Sequence, residues 1–308
     1  MAQGAKLAAA LGFFDGVHMG HAALLHRAVE AAGKLSLVPA VITLDRYPAA
    51  ALGGGAAPLI NSAEDRERLI KLIGGIDRVI TLRFDRELRQ TPWEDYAAAL
   101  IERFGCGALV CGYDHRFGAG GEGTAERLRE FAAARGVECI VVPRVDAPDG
   151  RAVRSTAIRE LIMQGDMRGA GALLGHPHLI GGTVVHGRQL GHTLGIPTAN
   201  LKLGADVVRP AFGVYAARMT VRGRTFDGVT NIGVKPTVAG AGEPELTVET
   251  HLLDFEGDIY GESAELWLFE RLRPEQKFAG LEELSRQMHT DAENARKILI
   301  NIPRSGKN

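Results

Sequence analysis

Two histidines, His18 and His21, stand three residues apart in Gly12-Phe13-Phe14-Asp15-Gly16-Val17-His18-Met19-Gly20-His21, where an apolar run passes into a segment of helical spacing. That spacing projects both imidazoles from one face of a helix start. Unpaired amide hydrogens and a partial positive charge make such a start a good seat for a phosphate. Imidazoles beside it can donate hydrogen bonds to oxygens that gain charge as the phosphorus is attacked, which stabilises a transition state without a covalent intermediate. A zinc pair is the rival chemistry. It needs a third ligand, and the helical zinc motif spaces its histidines four apart around a glutamate that is missing here. Two surface histidines without a role are the other alternative. Gly12 and Gly16 leave the backbone uncrowded, and Gly20 removes a side chain where a ligand has to come close.

Four more groupings have chemical potential. In an extended Thr198-Ala199-Asn200, alternate side chains share a face, so a hydroxyl and an amide oxygen point the same way. These are hard neutral ligands suited to Mg²⁺ that already carries nucleotide phosphates, although an ordinary Asx or Ser/Thr turn has the same spacing. Thr247, Glu249 and His251 share one side of a strand. Glu249 there is either a general base or part of a solvated sheet face. The glycine-dense stretch from Gly112 through Asp114 to Gly123 follows a short apolar strand and would let a phosphate or sugar reach the backbone. Ser155 and Thr156, with Arg159 a turn later, open a helix, and hydroxyls at that position are most often caps.

The elements that must position these residues are legible from periodicity. Apolar runs at Lys6 to Leu11, Val38 to Leu44, Asp77 to Leu82, Ala108 to Cys111 and Glu138 to Pro143 suit buried parallel strands. Helical spacing separates them. It runs from Ala22 to Ala32, with Leu24, Leu25 and Val29 on one face. It recurs after Ser62, with Arg66, Arg68 and Lys71 on one side and Leu69, Ile70 and Ile73 on the other, and again after Thr91 and Pro92, read as cap and first turn. The alternation predicts a doubly wound, Rossmann-like sheet flanked by helices, with ligands at the carboxyl ends of its strands. Beyond Gly175 the texture changes to short alternating runs between glycines, as in an antiparallel barrel. A stripe of Leu284, Met288, Ala292, Ala295 and Leu299 marks a terminal packing helix. The predicted domains are residues 1–174 and 175–302, with a frayed tail at 303–308.

Composition narrows the class. The 308 residues suffice for two domains, and 45% apolar with 24% charged residues is ordinary for a globular enzyme. A net charge of -1 argues against nucleic acid as a partner. Three cysteines without metal spacing suit a reducing compartment. The apolar run before Asp15 lacks a signal-peptide cleavage site, and no run approaches the ~20 residues of a membrane span. A cytoplasmic protein without a membrane partner is expected, and a homo-oligomer is left open.

The quoted residues also carry a resemblance. His-x-Gly-His resembles the signature of the nucleotidyltransferase superfamily, and the longer Gly-Phe-Phe-Asp-Gly-Val-His-x-Gly-His resembles the adenylyltransferase half of bacterial bifunctional riboflavin kinase/FAD synthetases. Gly112 to Gly118 is similar to that family's Gly-x-Asp-Phe-x-Phe-Gly, with His115 for the first Phe, and Gly121 stands where an Arg is usual. Ser155-Thr156-x-Ile158-Arg159 resembles Ser-Ser-Thr-x-Ile-Arg, with Arg154 for the first serine. Gly182 to Gly187, Gly191 and Gly195-Ile196-Pro197-Thr198-Ala199-Asn200 resemble the riboflavin kinase signature, with His192 for an Arg. Asn231 lies in a further matching stretch, and Leu272 to Phe278 resembles Leu-Arg-x-Glu-x-Lys-Phe.

The resemblance implies an enzyme that phosphorylates riboflavin to FMN with MgATP in its C-terminal domain and adenylylates FMN to FAD in its N-terminal domain, releasing pyrophosphate. It implies nucleotide or flavin contacts from Gly12, Phe13, Asp15, Gly20 and Asp114, and β- and γ-phosphate contacts from Ser155, Thr156 and Arg159. In the kinase half it implies binding by Gly187, Gly191, Gly195, Pro197 and Asn231, metal ligation by Thr198 and Asn200, and Glu249 as base. Besides an adenylyltransferase acting on another phosphorylated acceptor, two alternatives stand beside it. One is a riboflavin kinase whose N-terminal half has lost or altered its adenylyltransferase specificity. The other is a flavin-binding storage or regulatory module.

Overall fold

The computed structural model describes residues 6–48, 57–186, 198–235 and 245–303. Its contacts fall into two units, Met1–Ala57 with Arg66–Arg154, and Pro58–Asp65 with Ser155–Asn308. The first is built on strands β1 (Leu7–Leu11), β2 (Val38–Leu44), β3 (Arg78–Leu82), β4 (Cys106–Gly112) and β7 (Glu138–Val142), with a short side ladder of β5 (Arg116–Phe117) and β6 (Gly123–Thr124). The five-stranded sheet is parallel in the order β3-β2-β1-β4-β7. Helices α1 (Met19–Leu35), α2 (Ala63–Gly74), α3 (Arg86–Gln90), α4 (Trp93–Glu102) and α5 (Ala125–Ala133) connect the strands.

β1 reads Leu-Ala-Ala-Ala-Leu and is buried at every residue, because a central parallel strand is covered on both faces. Leu7, Ala9 and Leu11 join the core that holds Ala97, Leu100 and Leu128. Ala8 packs with Ala31, Ala32 and Ala108. The alanines let the helices come close. On α1 the buried face is Leu24, Leu25, Ala28, Ala31 and Ala32, whereas Val29, read from spacing as part of it, is 39% exposed. Thr91 is not the cap of α4. Its hydroxyl donates to the Glu87 carbonyl at 2.9 Å, because a helix not foreseen from the sequence, α3, ends there. Asp85 caps α3 by accepting from the Leu88 amide at 3.0 Å.

The second unit is an antiparallel sheet of β8 (His178–Thr183), β9 (Thr198–Leu201), β10 (Gly213–Val221), β11 (Arg224–Lys235), β12 (Glu245–Leu252) and β13 (Ser263–Arg273), ordered β8-β13-β10-β11-β12-β9. It curls until its edges meet, with the Val185 amide donating to the Asn200 carbonyl at 2.9 Å. Helices α6 (Ser155–Gln164) and α7 (Met167–Leu174) also belong to this unit, and Arg168 pairs there with Glu270. By contacts, these helices go with the second unit from Ser155 onward. Residues 58–65 join the same unit: Leu59 bridges Val207, Asn61 donates to the Leu179 carbonyl and Asp65 accepts from the Gly181 amide.

The terminal helix α8 (Leu281–Leu299) buries Ala295 and Leu299 against Ala216, as its apolar stripe predicts. Arg273, at the end of β13, grips Asp291 through Nε and Nη2. Buried Arg218 holds the far end of the helix by donating to the carbonyls of Leu299, Ile302 and Pro303. Among the described residues no helix is long and apolar enough to cross a membrane.

Candidate active sites

In the first sheet, chain order reverses between β1 and β4, and a crevice at such a switch point is the favoured ligand seat of an open parallel sheet. The turn from β1 into α1 lies at that point. Its backbone takes left-handed angles at Phe14 (φ 60°), Gly16 (φ 77°) and Val17 (φ 41°). Glycine adopts these freely. For Phe14 and above all β-branched Val17 they are strained, and such strain persists only where the surroundings impose it. Phe14 and Val17 are fully buried, and the Thr43 hydroxyl donates to the Phe13 carbonyl at 3.2 Å. A side chain at Gly12 would press on the Phe14 ring.

The turn brings His18 and His21 together with rings stacked at 3.6 Å and 11°. His18 caps α1, its Nδ1 accepting from the His21 amide at 3.3 Å. That bond places the proton of neutral His18 on Nε2. His21 packs on Phe14 with its Nδ1 enclosed. Burial, then the neighbouring His18 and Arg66, hold His21 well below the ordinary histidine range, so it is neutral at pH 7. Two cations could not stack so closely. A Cβ at Gly20 would meet the His18 ring at 3.3 Å, so this glycine leaves room for the imidazole.

Asp15 is 3% exposed and lies in the field of Arg66, itself 4% exposed. The sequence places Arg66 on the polar side of α2 with Arg68 and Lys71, and the structure corrects this. Its guanidinium sits 4.3 Å over the Phe13 ring and donates to the Leu44 carbonyl at 2.9 Å. The only hint in the sequence is an acid, Asp15, inside an otherwise apolar turn.

The loop after β4 is glycine-rich partly for packing reasons. A Cβ at Gly118 would strike the Trp93 Cα at 2.5 Å, and one at Gly123 the Phe117 ring at 2.7 Å. A Cβ at Gly120 or Gly121 would make only ordinary contacts, and both glycines have positive φ. Asp114 is exposed beside Gly112. A cleft of about 700 Å³ opens nearby, lined by Arg46, Phe84, Asp85, Arg86, Arg89, Gln90, Ala119 and Gly120.

In the second unit, antiparallel register does what sequence spacing could not. Glu249 pairs with Asn231 on one neighbouring strand and Asn200 on the other, and His251 pairs with Thr198. Directly opposite residues point to the same face with Cβ atoms about 5 Å apart, so these five side chains form one patch. The other face is the core. It carries Thr230 and Thr250, whose hydroxyls are 2.9 Å apart, with Val248, Ile232, Ala199 and Leu201. Asn200 is 7% exposed, while Thr198 and Glu249 are half-buried. Burial, then Arg296 and His289 of α8, keep His251 low in pKa. Glu275, within the Leu272 to Phe278 stretch, fills the space that a side chain at Gly233 would need.

Ser155 and Thr156 open α6, half-buried and exposed respectively, and Arg159 is 6% exposed. Gly187, Gly191, Gly195 and Pro197, with the predicted loop they define, lie outside the described residues, as do residues 304–308. Among the described residues no cluster of three His, Cys, Asp or Glu side chains could hold a metal.

Comparison with known proteins matches the two halves of the chain separately. A family model described as FAD synthetase matches residues 2–157, and one described as riboflavin kinase matches residues 174–299. A bifunctional riboflavin kinase/FMN adenylyltransferase of Listeria monocytogenes is 36% identical over 95% of this chain and 92% of its own. Its counterpart in Escherichia coli K12 is 37% identical over 94% of this chain and 91% of its own. A crystal structure from Streptococcus pneumoniae, described as a macrolide-efflux protein, superposes with a TM-score of 0.82 at 32% identity, covering 96% of this chain and 95% of that one.

Proposed function

The chain belongs to the family of bifunctional riboflavin kinase/FMN adenylyltransferases, and on that premise we propose how its residues divide the work. It phosphorylates riboflavin to FMN and adenylylates FMN to FAD, with ATP as co-substrate of both steps. Phosphorylation belongs to the curled sheet. The ribityl 5′-hydroxyl attacks the γ-phosphorus of ATP, ADP leaves, and Glu249 takes the hydroxyl proton. The observation that carries this assignment is the register that sets Glu249 between Asn200 and Asn231. Thr198 and Asn200 offer neutral oxygens on one face at the sheet's closing seam, a donor set that fits Mg²⁺ arriving with its nucleotide. That ion would supply charge neutralisation on the phosphates.

Adenylylation belongs to the turn after β1. The FMN phosphate is already ionised at pH 7, so its attack on the α-phosphorus needs no base. It needs stabilisation of charge on the α-phosphoryl oxygens and on leaving pyrophosphate. The Nε2–H of His18 and the ring of His21 donate to these oxygens, and the arginines of the nearby cleft suit a phosphorylated acceptor. By the resemblance of their motif, Ser155, Thr156 and Arg159 are assigned to the nucleotide's β- and γ-phosphates. The protein works in the cytoplasm without a nucleic-acid or membrane partner.

Incubating the purified protein with riboflavin, ATP and Mg²⁺ and resolving the flavins by chromatography tests the reading. FAD is the expected product. FMN alone would mean a kinase whose other half has lost its specificity, and unchanged riboflavin would mean a storage module.

A further inference from the structure

Arg66 belongs to none of the motifs above, yet among the described residues its guanidinium meets groups of the adenylylating turn and of the strand end beside it. One Nη donates to the carbonyl of Leu44, the last residue of β2, at 2.9 Å. The cationic carbon lies 4.3 Å above the ring of Phe13. Its opposite charge is Asp15, inside the turn and 3% exposed, followed by Asp45 just past β2. At 4% exposure Arg66 is too enclosed to reach out to a phosphate from where it stands. A buried cation that bonds a strand end, covers an aromatic ring and balances a buried acid fixes the relative positions of all three.

We propose that Arg66 is a positioning residue for adenylyl transfer: by locking Asp15 and Phe13 of the turn to the end of β2, it presents the stacked His18 and His21 in reactive geometry. This rests on the assignment of that chemistry to the turn. The strained backbone at Phe14 and Val17 gives Arg66 its task. Left-handed angles at two non-glycine residues are held only by surrounding contacts, and Arg66 with Thr43 supplies polar ones. Without its cation, Asp15 would keep a buried negative charge and would draw the turn toward water. The imidazoles would then shift relative to the phosphate, and a displacement of about 1 Å costs roughly 100-fold in rate.

The test measures both activities of the full-length enzyme on the same preparations. In Arg66→Met, kcat for FMN adenylylation should fall at least 30-fold while KM for ATP stays within threefold and riboflavin phosphorylation within twofold of the parent. Arg66→Lys, which keeps the charge but not the flat stacked fork, should recover part of the loss. Asp15→Asn alone and combined with Arg66→Met completes a cycle in which the double variant should lose less than the product of the two single losses, because the two groups act through each other. That neutral pair and the lysine variant also carry the test if the single methionine variant does not fold. Adenylylation at parental kcat in Arg66→Met, or losses that simply multiply in the double variant, would overturn the proposal. His21→Ala, assayed in parallel, separates the premise: if it keeps full adenylylation, the assignment to the turn itself fails, whatever Arg66 does.

Discussion

A carboxylate acts as a base only if it stands where the proton leaves, and the register of its strand sets Glu249 between Asn200 and Asn231. Glu249→Gln keeps the size and removes the basicity. It should lower kcat for riboflavin phosphorylation by roughly 10²–10⁴-fold and leave FMN adenylylation intact, as chromatography of the two reactions run separately would reveal. The histidines make the converse case. His21 is held neutral by burial, so its contribution is a hydrogen bond to developing charge rather than a full cation. His21→Ala should lower adenylylation by about 10²–10³-fold with the kinase step unchanged. If either variant loses both activities while its melting profile stays native, the two sites are not independent.

At the scale of elements, what was legible and what was not follows from how far apart the interacting residues lie. The pairing of His18 with His21 could be read because the two share one helical turn. The strands could be read because β1 and β2 are buried on both faces and show unbroken apolar runs. The set Asn231, Glu249 and Asn200 could not be read from spacing alone, since register depends on how β9, β11 and β12 align. Periodicity likewise failed at Arg66, where the charge of Asp15 overrides the polar stripe. The loop after β4 illustrates a mixed outcome. Its glycines suggested phosphate approach, but Gly118 is there because α4 begins against it. Gly118→Ala must both hold φ at 73° and push on the Trp93 backbone. We expect a loss of roughly 2–6 kcal/mol in denaturant unfolding, the sum of overpacking and of an alanine in a backbone region open essentially to glycine alone, with adenylylation affected before phosphorylation.

For the molecule as a whole, the two activities share one chain whose stability depends on pH through a residue that neither reaction uses. His178 is fully buried at the start of β8, and neither ring nitrogen has a hydrogen-bond partner among the described residues. Burial first, then neighbouring His176, push its pKa down to about 3. In the unfolded chain it titrates near 6.5. The unfolded form therefore takes up a proton that the folded form refuses, and acid favours unfolding. The stability this neutral ring secures is fully present above about pH 6.5 and is lost progressively as pH falls toward about 3, at roughly 1.4 kcal/mol for each pH unit. Going from pH 6.5 to 5 should cost about 2 kcal/mol through this one residue. His178→Leu removes the titration while keeping an apolar side chain of similar bulk. Urea melts of parent and variant between pH 7.5 and 5 should diverge, with the parent losing stability faster. Parallel curves would mean that the imidazole is protonated or solvated in the folded protein, and that acid sensitivity has another source.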